Sequence, residues 1–465
     1  YLTSLIAFGM LAIAGSAIPQ IELSFSQYDF STRVEAMNQL IEQFNAENPD
    51  VVVSQETFPY DAYQQRVAAA TAAGEGPDVV QLFYGWTAAW QRAGYVEPLP
   101  QEHISHDWIE EYFIPMAESG KVGDEYYGLP TAVRALGLFY NKDLFEEVGL
   151  DPDAPPATWD AFVEAAKALT IKRGPLYQRI GYGFGGQDHH LIRTVLTNQL
   201  GTPPYSEDGT EVLYGGEIGA QALDTWTSWQ LEDEIGELEF VPGTSGYREG
   251  FHTQENIAMM IDGSFAIGQV RNNAQFDWGV AELPTFDNGV QANFGSYWMN
   301  GVTPKAYESP ERLEAAARFI EFVTSEDAML LWLETVGELP AAASLVADPE
   351  LTADPVNGPF IAGLAYAEAT KFVDEGAQRQ IMLDAYNRVL LEGMDPAESM
   401  AIAAAEDQAL IDSFLDGRSA CPPDRSFRAP PRRRGAAPSP RSLGSGGSRW
   451  PDPFRPRPTV APAHA

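Results

Sequence analysis

The chain has 465 residues, 45% of them hydrophobic, and carries a formal net charge of −37 at pH 7. This hydrophobic content is high enough for a large buried core, which excludes an intrinsically disordered chain, and the length favours two domains over one. So acidic a surface repels phosphate backbones and anionic lipids. We therefore expect no nucleic-acid binding and no binding to membrane surfaces.

Residues 1–17 have the composition of a secretory signal peptide remnant. Residues 2–14 form an apolar run, and Gly15, Ser16 and Ala17 supply the small residues of a peptidase site. The run is short for a transmembrane span, and a buried N-terminal helix is the alternative. We expect an exported, periplasmic protein whose mature chain begins near residue 18.

Strand and helix patterns alternate from residue 21 to about residue 131, which is typical of βαβ units. Residues 21–28 and 51–53 are predicted strands, with a helix between them that ends near Phe44, and residues 79–83 form a further apolar strand. The run 136–140 is apolar enough for a strand covered on both faces, and Asn141 or Asp143 can cap the helix after it.

A second run of α/β type begins after Arg134. The pattern predicts helices at 158–170, 190–200 and 219–232. Asp78, in a Gly-Pro-Asp turn, is expected to act as a turn or cap residue rather than as a ligand contact. The chain therefore predicts an α/β fold built from two successive sheets.

The sequence changes character at residues 417–465. This segment holds ten arginines and eleven prolines but no lysine, and it contains Cys421, the single cysteine of the chain. A selected disordered tail has such a composition, but the abrupt break indicates the product of a shifted reading frame in a GC-rich gene. The body then has no disulfide and no thiolate metal site.

Residues suited to carbohydrate recognition stand at the ends of predicted segments. A sugar needs aromatic platforms for its ring faces and polar side chains for its hydroxyl groups. Strand ends and the loop 185–190 provide both kinds, at Tyr28, Asp29, Tyr84, Trp86, Arg134, Gln187 and Asp188. Each tryptophan is also a plausible core residue, and Arg134 a plausible structural ion-pair partner.

Several short segments occur in an order that resembles one protein family. They are IELSFSQY at 21–28, FNAENPD at 44–50, AGEGPDVV at 73–80, GYVEPL at 94–99, YNKDLF at 140–145, TWDAF at 158–162, MIDGSF at 260–265, AARFI at 316–320 and GELP at 337–340. Together they resemble family 1 of the extracellular solute-binding proteins of ABC importers, in its sugar-binding, maltose-binding-protein-like branch.

The resemblance implies a type II periplasmic binding protein fold. It has two α/β lobes, each a mainly parallel sheet flanked by helices, with hinge crossings between them. Lobe 1 would comprise residues 18–131 and 297–345, and lobe 2 residues 132–296 and 346–416. The resemblance places the final helices of lobe 2 near 375–391 and 396–414. Ligand sites in such sheets lie beyond the carboxyl ends of the strands, in the cleft.

The implied function is that of a substrate-binding subunit that captures a mono- or oligosaccharide and delivers it to the membrane permease. Such a subunit is a monomer and not an enzyme, and it needs no cofactor, no metal and no catalytic residue. The resemblance also implies further cleft residues, at His190, Ser264, Phe265, Ser296, Trp298 and Arg379. Phe265 stands where the family often has a stacking tryptophan.

Two alternatives remain open from the sequence. One is a secreted carbohydrate-active enzyme, a glycosidase or lyase, because carboxylates are too abundant for a catalytic pair to be recognised. The other keeps the two-lobe fold and changes the solute to a polyamine, a metal chelate or an osmolyte, since aromatic cages also hold cations. A zinc site at His103 and His106, or at His189 and His190, lacks a nearby third ligand.

Overall fold

The computed structural model of the chain describes residues 20–243 and 245–417. The expected signal peptide remnant at 1–17 and the expected tail from residue 418 onward, with Cys421, lie outside these described residues. Within the described ranges, the helices are all too short or too polar to cross a membrane.

Fifteen strands are formed by the described residues, and most of them are short. In chain order they are β1 (Ile21–Tyr28), β2 (Val51–Phe58), β3 (Val79–Phe83), β4 (Lys121–Val122), β5 (Glu125–Tyr126), β6 (Leu129–Arg134), β7 (Leu136–Asn141), β8 (Ile171–Arg173), β9 (Leu176–Tyr182), β10 (Ile257–Gly263), β11 (Trp278–Ala281), β12 (Asn293–Phe294), β13 (Ser296–Val302), β14 (Leu339–Pro340) and β15 (Ala367–Glu368).

Eighteen α-helices accompany them within the same ranges. They are α1 (Ser31–Glu47), α2 (Tyr60–Ala72), α3 (Thr87–Ala93), α4 (His106–Tyr112), α5 (Lys142–Glu147), α6 (Trp159–Leu169), α7 (Asp188–His190), α8 (Thr197–Gln199), α9 (Glu217–Leu231), α10 (Gly246–His252), α11 (Ile267–Asn273), α12 (Pro310–Val323), α13 (Glu326–Val336), α14 (Ala343–Val346), α15 (Pro349–Thr352), α16 (Gly358–Leu364), α17 (Glu375–Glu392) and α18 (Pro396–Leu415). A π-helical turn at Leu191–Leu196 joins α7 to α8.

The first sheet has six strands in the order β14-β6-β13-β3-β1-β2. The strand β1 runs parallel to both β2 and β3, whereas β13 is antiparallel to β3 and to β6. The carboxyl ends of β1, β3 and β6 therefore lie at the same edge as the beginning of β13. Side chains that follow these three strands meet those that open β13 at this edge.

The second sheet has five strands in the order β11-β7-β10-β9-β8. Only β9 and β10 pair in parallel, so the expectation of a mainly parallel sheet needs correction here. The strands β8 and β9 form a hairpin through a loop of two residues, which gives antiparallel pairing, whereas a parallel neighbour needs a long crossover. The strand β7 enters this sheet from β6 of the first sheet and lies between β10 and β11, antiparallel to both.

The helix α1 shows how the first sheet is covered. Its buried residues recur at helical spacing, as in Met37, Leu40, Ile41 and Phe44, and they form one apolar stripe. Helices α12 and α13 pack against α1, where the ring of Phe44 lies 5.2 Å from that of Phe319. The stripe therefore faces two other helices as well as the sheet.

Most predicted elements are present, with shifted bounds. The helices predicted at 375–391 and 396–414 are α17 and α18, and Asn141 caps α5 by accepting from the backbone N–H of Leu144 at 3.0 Å. The helix predicted at 190–200 is interrupted by the π-helical turn, and the strand predicted at 51–53 extends to Phe58. The α/β class predicted from the sequence is confirmed.

We expect Gly181→Ala to lower the free energy of unfolding by about 1–3 kcal/mol, because a buried β-carbon there must displace backbone. Gly181 lies in β9, and its β-carbon would overlap the carbonyl oxygen of Ala166 in α6. Urea denaturation measures the change. The control is Gly216→Ala, where a β-carbon meets no atom within 4 Å. Equal unfolding midpoints for the two variants would contradict the close helix–sheet contact.

Candidate functional site

A cavity of about 340 Å³ is lined by residues that follow strands of both sheets. Its volume lies in the range of small-molecule sites. The lining residues are Tyr28, Asp29, Phe30, Tyr60, Phe83, Arg134, Gly186, Gln187, His189, His190, Ser245, Tyr247, Arg248, Phe265, Phe294, Ser296, Trp298, Glu375 and Arg379.

The topology explains why these residues meet. Tyr28 ends β1 and Arg134 ends β6, while Ser296 opens the antiparallel β13 at the same edge of the first sheet. Phe265 follows β10, and Gln187 lies in the loop after β9, so both come from one edge of the second sheet. The cavity is therefore bounded by the ligand-binding edges of both sheets.

One wall of the cavity is aromatic. The ring of Trp298 lies 4.4 Å from Tyr28, 5.7 Å from Phe83 and 5.0 Å from Trp86, all measured between centroids. Trp298 is 6% exposed. The cluster packs around the indole and gives this part of the cavity lining an aromatic, apolar character, which suits the C–H face of a sugar ring.

Behind this wall lies a buried group of two arginines and one carboxylate. Glu338 forms ion pairs with Arg33 from α1 and with Nε of Arg134 at 2.6 Å, and it accepts from Trp332 Nε1 at 2.7 Å. The side chains of Arg33, Glu338 and Arg134 are 1%, 3% and 13% exposed. Burial acts to raise the pKa of Glu338, but Arg134 and Arg33 outweigh it and hold that pKa below its ordinary value.

A second arginine and its carboxylate stand on the side of the second sheet. Arg248 forms two hydrogen bonds to Asp262, at 2.5 Å from Nε and 3.0 Å from Nη2, and the Tyr247 hydroxyl donates to the same carboxylate at 2.9 Å. The guanidinium carbons of Arg248 and Arg134 each lie 5.1 Å from the ring centroid of Phe265. Phe265 therefore lies between two cations instead of presenting an isolated stacking face.

The loop after β9 contributes two neutral imidazoles. His190 stacks on Phe294 with centroids 3.5 Å apart, and both nitrogens of His189 are buried without a hydrogen-bond partner among the described residues. Burial lowers the pKa of both histidines well below the ordinary value, so neither carries a charge near neutral pH. Both can exchange hydrogen bonds with a hydroxyl group.

Asp188 holds this loop together. Its carboxylate accepts from the Tyr182 hydroxyl at 2.5 Å and from the Gly185 N–H at 2.7 Å, away from the cavity lining. Burial raises the pKa of Asp188 to about 7. Gly186 has a φ of +52°, and a β-carbon there would overlap the Tyr247 hydroxyl, so this position of the loop needs glycine.

Arg379, on the first turns of α17, lies where three cavities meet. Besides the central cavity it lines neighbouring ones of about 550 and 390 Å³, which share Tyr60 and Tyr247 with the central one respectively. Its Nε is buried without a hydrogen-bond partner among the described residues. Arg379 can therefore donate to a ligand that extends from the central cavity into either neighbour.

The structure brings together nine of the thirteen residues predicted from the sequence. They are Tyr28, Asp29, Arg134, Gln187, His190, Phe265, Ser296, Trp298 and Arg379. Of the other four, Trp86 lines the 550 Å³ cavity, Tyr84 stacks on Tyr297 at 4.9 Å, and Asp188 and Ser264 are buried outside the lining.

Sequence reasoning missed several lining residues, namely Tyr60, His189, Tyr247, Arg248, Phe294 and Glu375. The strand-end rule would have found Tyr60, which follows β2 closely, and His189 lies in a loop already singled out. Tyr247 and Arg248 carry no such signal, because they follow no strand and belong to the short helix α10.

Asp78 has a structural role, as the sequence indicated. It is buried, accepts from the Ser24 N–H at 2.8 Å and from the Ser24 hydroxyl at 2.7 Å, and forms an ion pair with Arg312. Among the residues that the structure describes, no cluster of three His, Cys, Asp or Glu side chains is arranged to hold a metal ion.

Known proteins resemble this chain in sequence and in fold. The sn-glycerol-3-phosphate-binding periplasmic protein UgpB of Escherichia coli K12 is 25% identical over 361 residues, which is 73% of this chain and 78% of UgpB. The maltotriose-binding protein of Pyrococcus abyssi is 25% identical over 336 residues, covering 70% and 67% of the two chains. An ABC transporter solute-binding protein of Thermotoga lettingae, solved with α-D-tagatose, superposes with a TM-score of 0.73 at 23% identity, over 84% of this chain and 100% of that one.

The sequence profile of the family described as bacterial extracellular solute-binding protein matches residues 31–330. This range is more than half of the chain, and it contains Trp298, Arg134 and the loop after β9. The resemblance seen in the short segments, the type II binding-protein fold and the substrate-binding role are thereby confirmed. The chain belongs to the family of bacterial extracellular solute-binding proteins.

Proposed function

We propose that this protein captures a mono- or oligosaccharide in the central cavity and delivers it to the permease of an ABC importer. The observation that carries the proposal is the cavity itself, where the Trp298 and Tyr28 rings face hydrogen-bonding groups of Gln187, His190 and Arg379. A flat apolar wall opposite several polar groups is the arrangement that a sugar requires. The names of the relatives include maltotriose and a phosphorylated polyol.

In this proposal the two sheets act as the cores of two lobes. The first sheet takes its strands from residues 21–134 and 296–340, and the second from 136–281. The chain passes between them at Ala135 and again before Ser296, and both crossings lie beside the cavity. Rotation about such crossings opens and closes a cleft.

Transport requires that the sugar bind the closed form more tightly than the open form, because a ligand with equal affinity for both shifts no population. Contacts from both sides of the cavity provide this difference, since Trp298 and Arg379 reach the ligand together only when the lobes are closed. The closed form, as a monomer in the periplasm, docks on the permease, and no bond of the sugar is broken.

A thermal-shift screen across neutral and acidic mono- and oligosaccharides tests this function. We expect at least one sugar to raise the melting temperature and to remain chemically unchanged after prolonged incubation. Titration calorimetry then gives its affinity for the wild type and for Arg134→Ala. We expect the variant to bind at least tenfold more weakly, because it loses a charge-assisted hydrogen bond.

The matched control is Arg271→Ala, since Arg271 is an exposed arginine on α11 outside the cavity. It is expected to bind the sugar with wild-type affinity. An Arg134→Ala variant with unchanged affinity would show that the central cavity is not the binding site. Release of shortened oligosaccharides would show an enzyme instead of a binding protein.

A further inference from the structure

We propose that the carbohydrate bound by this protein carries an anionic group, a carboxylate or a phosphate, and that Arg134 binds that group. The inference rests on the proposed function, because it specifies which class of sugar the same cavity takes. Its basis is a surplus of positive charge and of hydrogen-bond donors on one side of the cavity.

Positively charged side chains are concentrated around the cavity, although the chain as a whole is strongly acidic. The protein has a formal net charge of −37, yet five arginines line the cavity or lie directly behind its walls. They are Arg33, Arg134, Arg193, Arg248 and Arg379. In so acidic a protein such a concentration attracts an anionic solute into the cavity.

The carboxylates beside these arginines do not balance them. Asp262 neutralises Arg248, but among the ion pairs of the described residues Arg33 and Arg134 share the single carboxylate of Glu338. One guanidinium charge therefore stays without a counter-charge in a buried setting. Buried charges are normally paired, so this excess indicates a partner that arrives with the ligand.

The hydrogen-bond donors of the same group are in excess as well. Nη2 of Arg134, and Nε and Nη1 of Arg33, are buried without an acceptor among the described residues. Burial, and next the neighbouring Arg33, lower the pKa of Arg134, although Glu338 acts in the opposite direction. A carboxylate or phosphate would supply both the charge and the acceptor oxygens, because the guanidinium fork matches their geometry.

The interactions of Glu375 favour the Arg134 side of the cavity for the anionic group. Two acidic residues line the cavity. Asp29 is exposed at the end of β1, whereas Glu375 lies on the same helix as Arg379 and interacts with that arginine and with Arg193. The arginines near α17 therefore have a carboxylate beside them. The anionic group is expected near Arg134 and Arg248, on either side of Phe265, with the sugar ring against Trp298.

Matched pairs of sugars test the inference. Glucose is compared with glucuronate and with glucose 6-phosphate, and galactose with galacturonate, and each affinity is measured by calorimetry. We expect at least one acidic member to bind at least tenfold more tightly than its neutral partner, with an affinity that falls as salt is added. The two acidic forms distinguish a carboxylate ligand from a phosphate ligand.

The variant Arg134→Gln keeps a polar side chain and removes the charge. We expect it to reduce the preference for the acidic member to less than about threefold, as Arg134 is the charge that selects it. The comparison variant is Arg379→Gln, which is expected to weaken acidic and neutral members by similar factors. A second control is Arg271→Gln. Arg271 lies outside the cavity, so this variant is expected to leave both affinities unchanged.

Each outcome bears on a different statement. A neutral sugar that binds as tightly as its acidic partner overturns the inference and leaves the proposed carbohydrate-binding function intact. An acidic preference that survives in Arg134→Gln overturns the assignment to Arg134. If no sugar of either kind binds, while a non-sugar solute does, the proposed function fails together with the inference.

Discussion

The variant Glu338→Gln is expected to lower the free energy of unfolding by about 3–5 kcal/mol, because removing one partner of a buried ion pair leaves uncompensated charge. Glu338 is the carboxylate shared by Arg33 and Arg134, and its side chain is 3% exposed. Glutamine fills the same volume and keeps an acceptor for Trp332. The loss of stability therefore reports the removal of the charge and not a change in packing. Urea denaturation at pH 7 measures it.

The same carboxylate gives a pH dependence whose sign follows from its lowered pKa. A folded-state pKa below the ordinary value of 4.5 means that the unfolded chain binds the proton more readily. The stabilisation is therefore complete above pH 4.5 and is lost as the pH falls from there through the folded-state pKa. In Glu338→Gln this part of the acid destabilisation is expected to disappear.

The control is Glu110→Gln, which removes an ion pair with Lys121 whose glutamate is 49% exposed. Exposed ion pairs contribute little, so its loss of stability is expected to be much smaller. If Glu338→Gln were no less stable than this control, Arg33 and Arg134 would not be desolvated in the way the buried ion pairs indicate. The surplus charge assigned to the cavity would then be screened by solvent.

The variant Trp298→Ala is expected to weaken ligand binding by about 30-fold or more, as truncation of a central aromatic anchor costs about 2 kcal/mol or more of binding energy. Trp298 is the centre of the aromatic wall, in contact with Tyr28, Phe83 and Trp86. The substitution also leaves a cavity, which we expect to lower the free energy of unfolding by about 3–5 kcal/mol. Calorimetry below the melting range of the variant separates the two effects.

A matched control removes a tryptophan that packs against the second sheet. Trp229 lies on α9 among Trp159, Phe162 and Tyr182, outside the cavity. Trp229→Ala is expected to cost similar stability with no change in affinity. If Trp298→Ala fails to fold, Trp298→Phe is expected to bind several-fold more weakly at near-normal stability. Equal affinities for Trp298→Phe and the wild type would remove Trp298 from the binding surface.

Local patterns in the sequence were sufficient to predict most secondary-structure elements and about half of the residues that line the cavity. The helix α6 and the cap at Asn141 depend on residues within one or two turns of each other, so periodicity and capping identify them. Tyr28 was found because it ends an apolar strand, and Arg134 because it stands where the second α/β run begins. The ordered segments added the family, and with it Phe265 and Arg379.

The relative directions of the strands and the ion-pair partners of the charged side chains could be determined only from the folded structure. The second sheet is mostly antiparallel because a two-residue loop joins β8 to β9, and because β7, which arrives from the first sheet, lies antiparallel between β10 and β11. Asp188 is a polar residue of a type that often contacts a ligand, yet the loop directs its carboxylate to the Tyr182 hydroxyl. Nothing near Asp188 in the sequence distinguishes these two orientations.

The sequence alone thus determined the α/β class, the family and a set of strand-end residues, since each depends on neighbours along the chain. Tertiary structure decided which of them share a cavity and which charges remain without a partner. Arg33 and Glu338 are 305 positions apart, and Arg134 joins them only because β6 ends beside both. Electrostatic pairing acts through space, so the surplus charge on Arg134 emerges only when these distant segments are packed together.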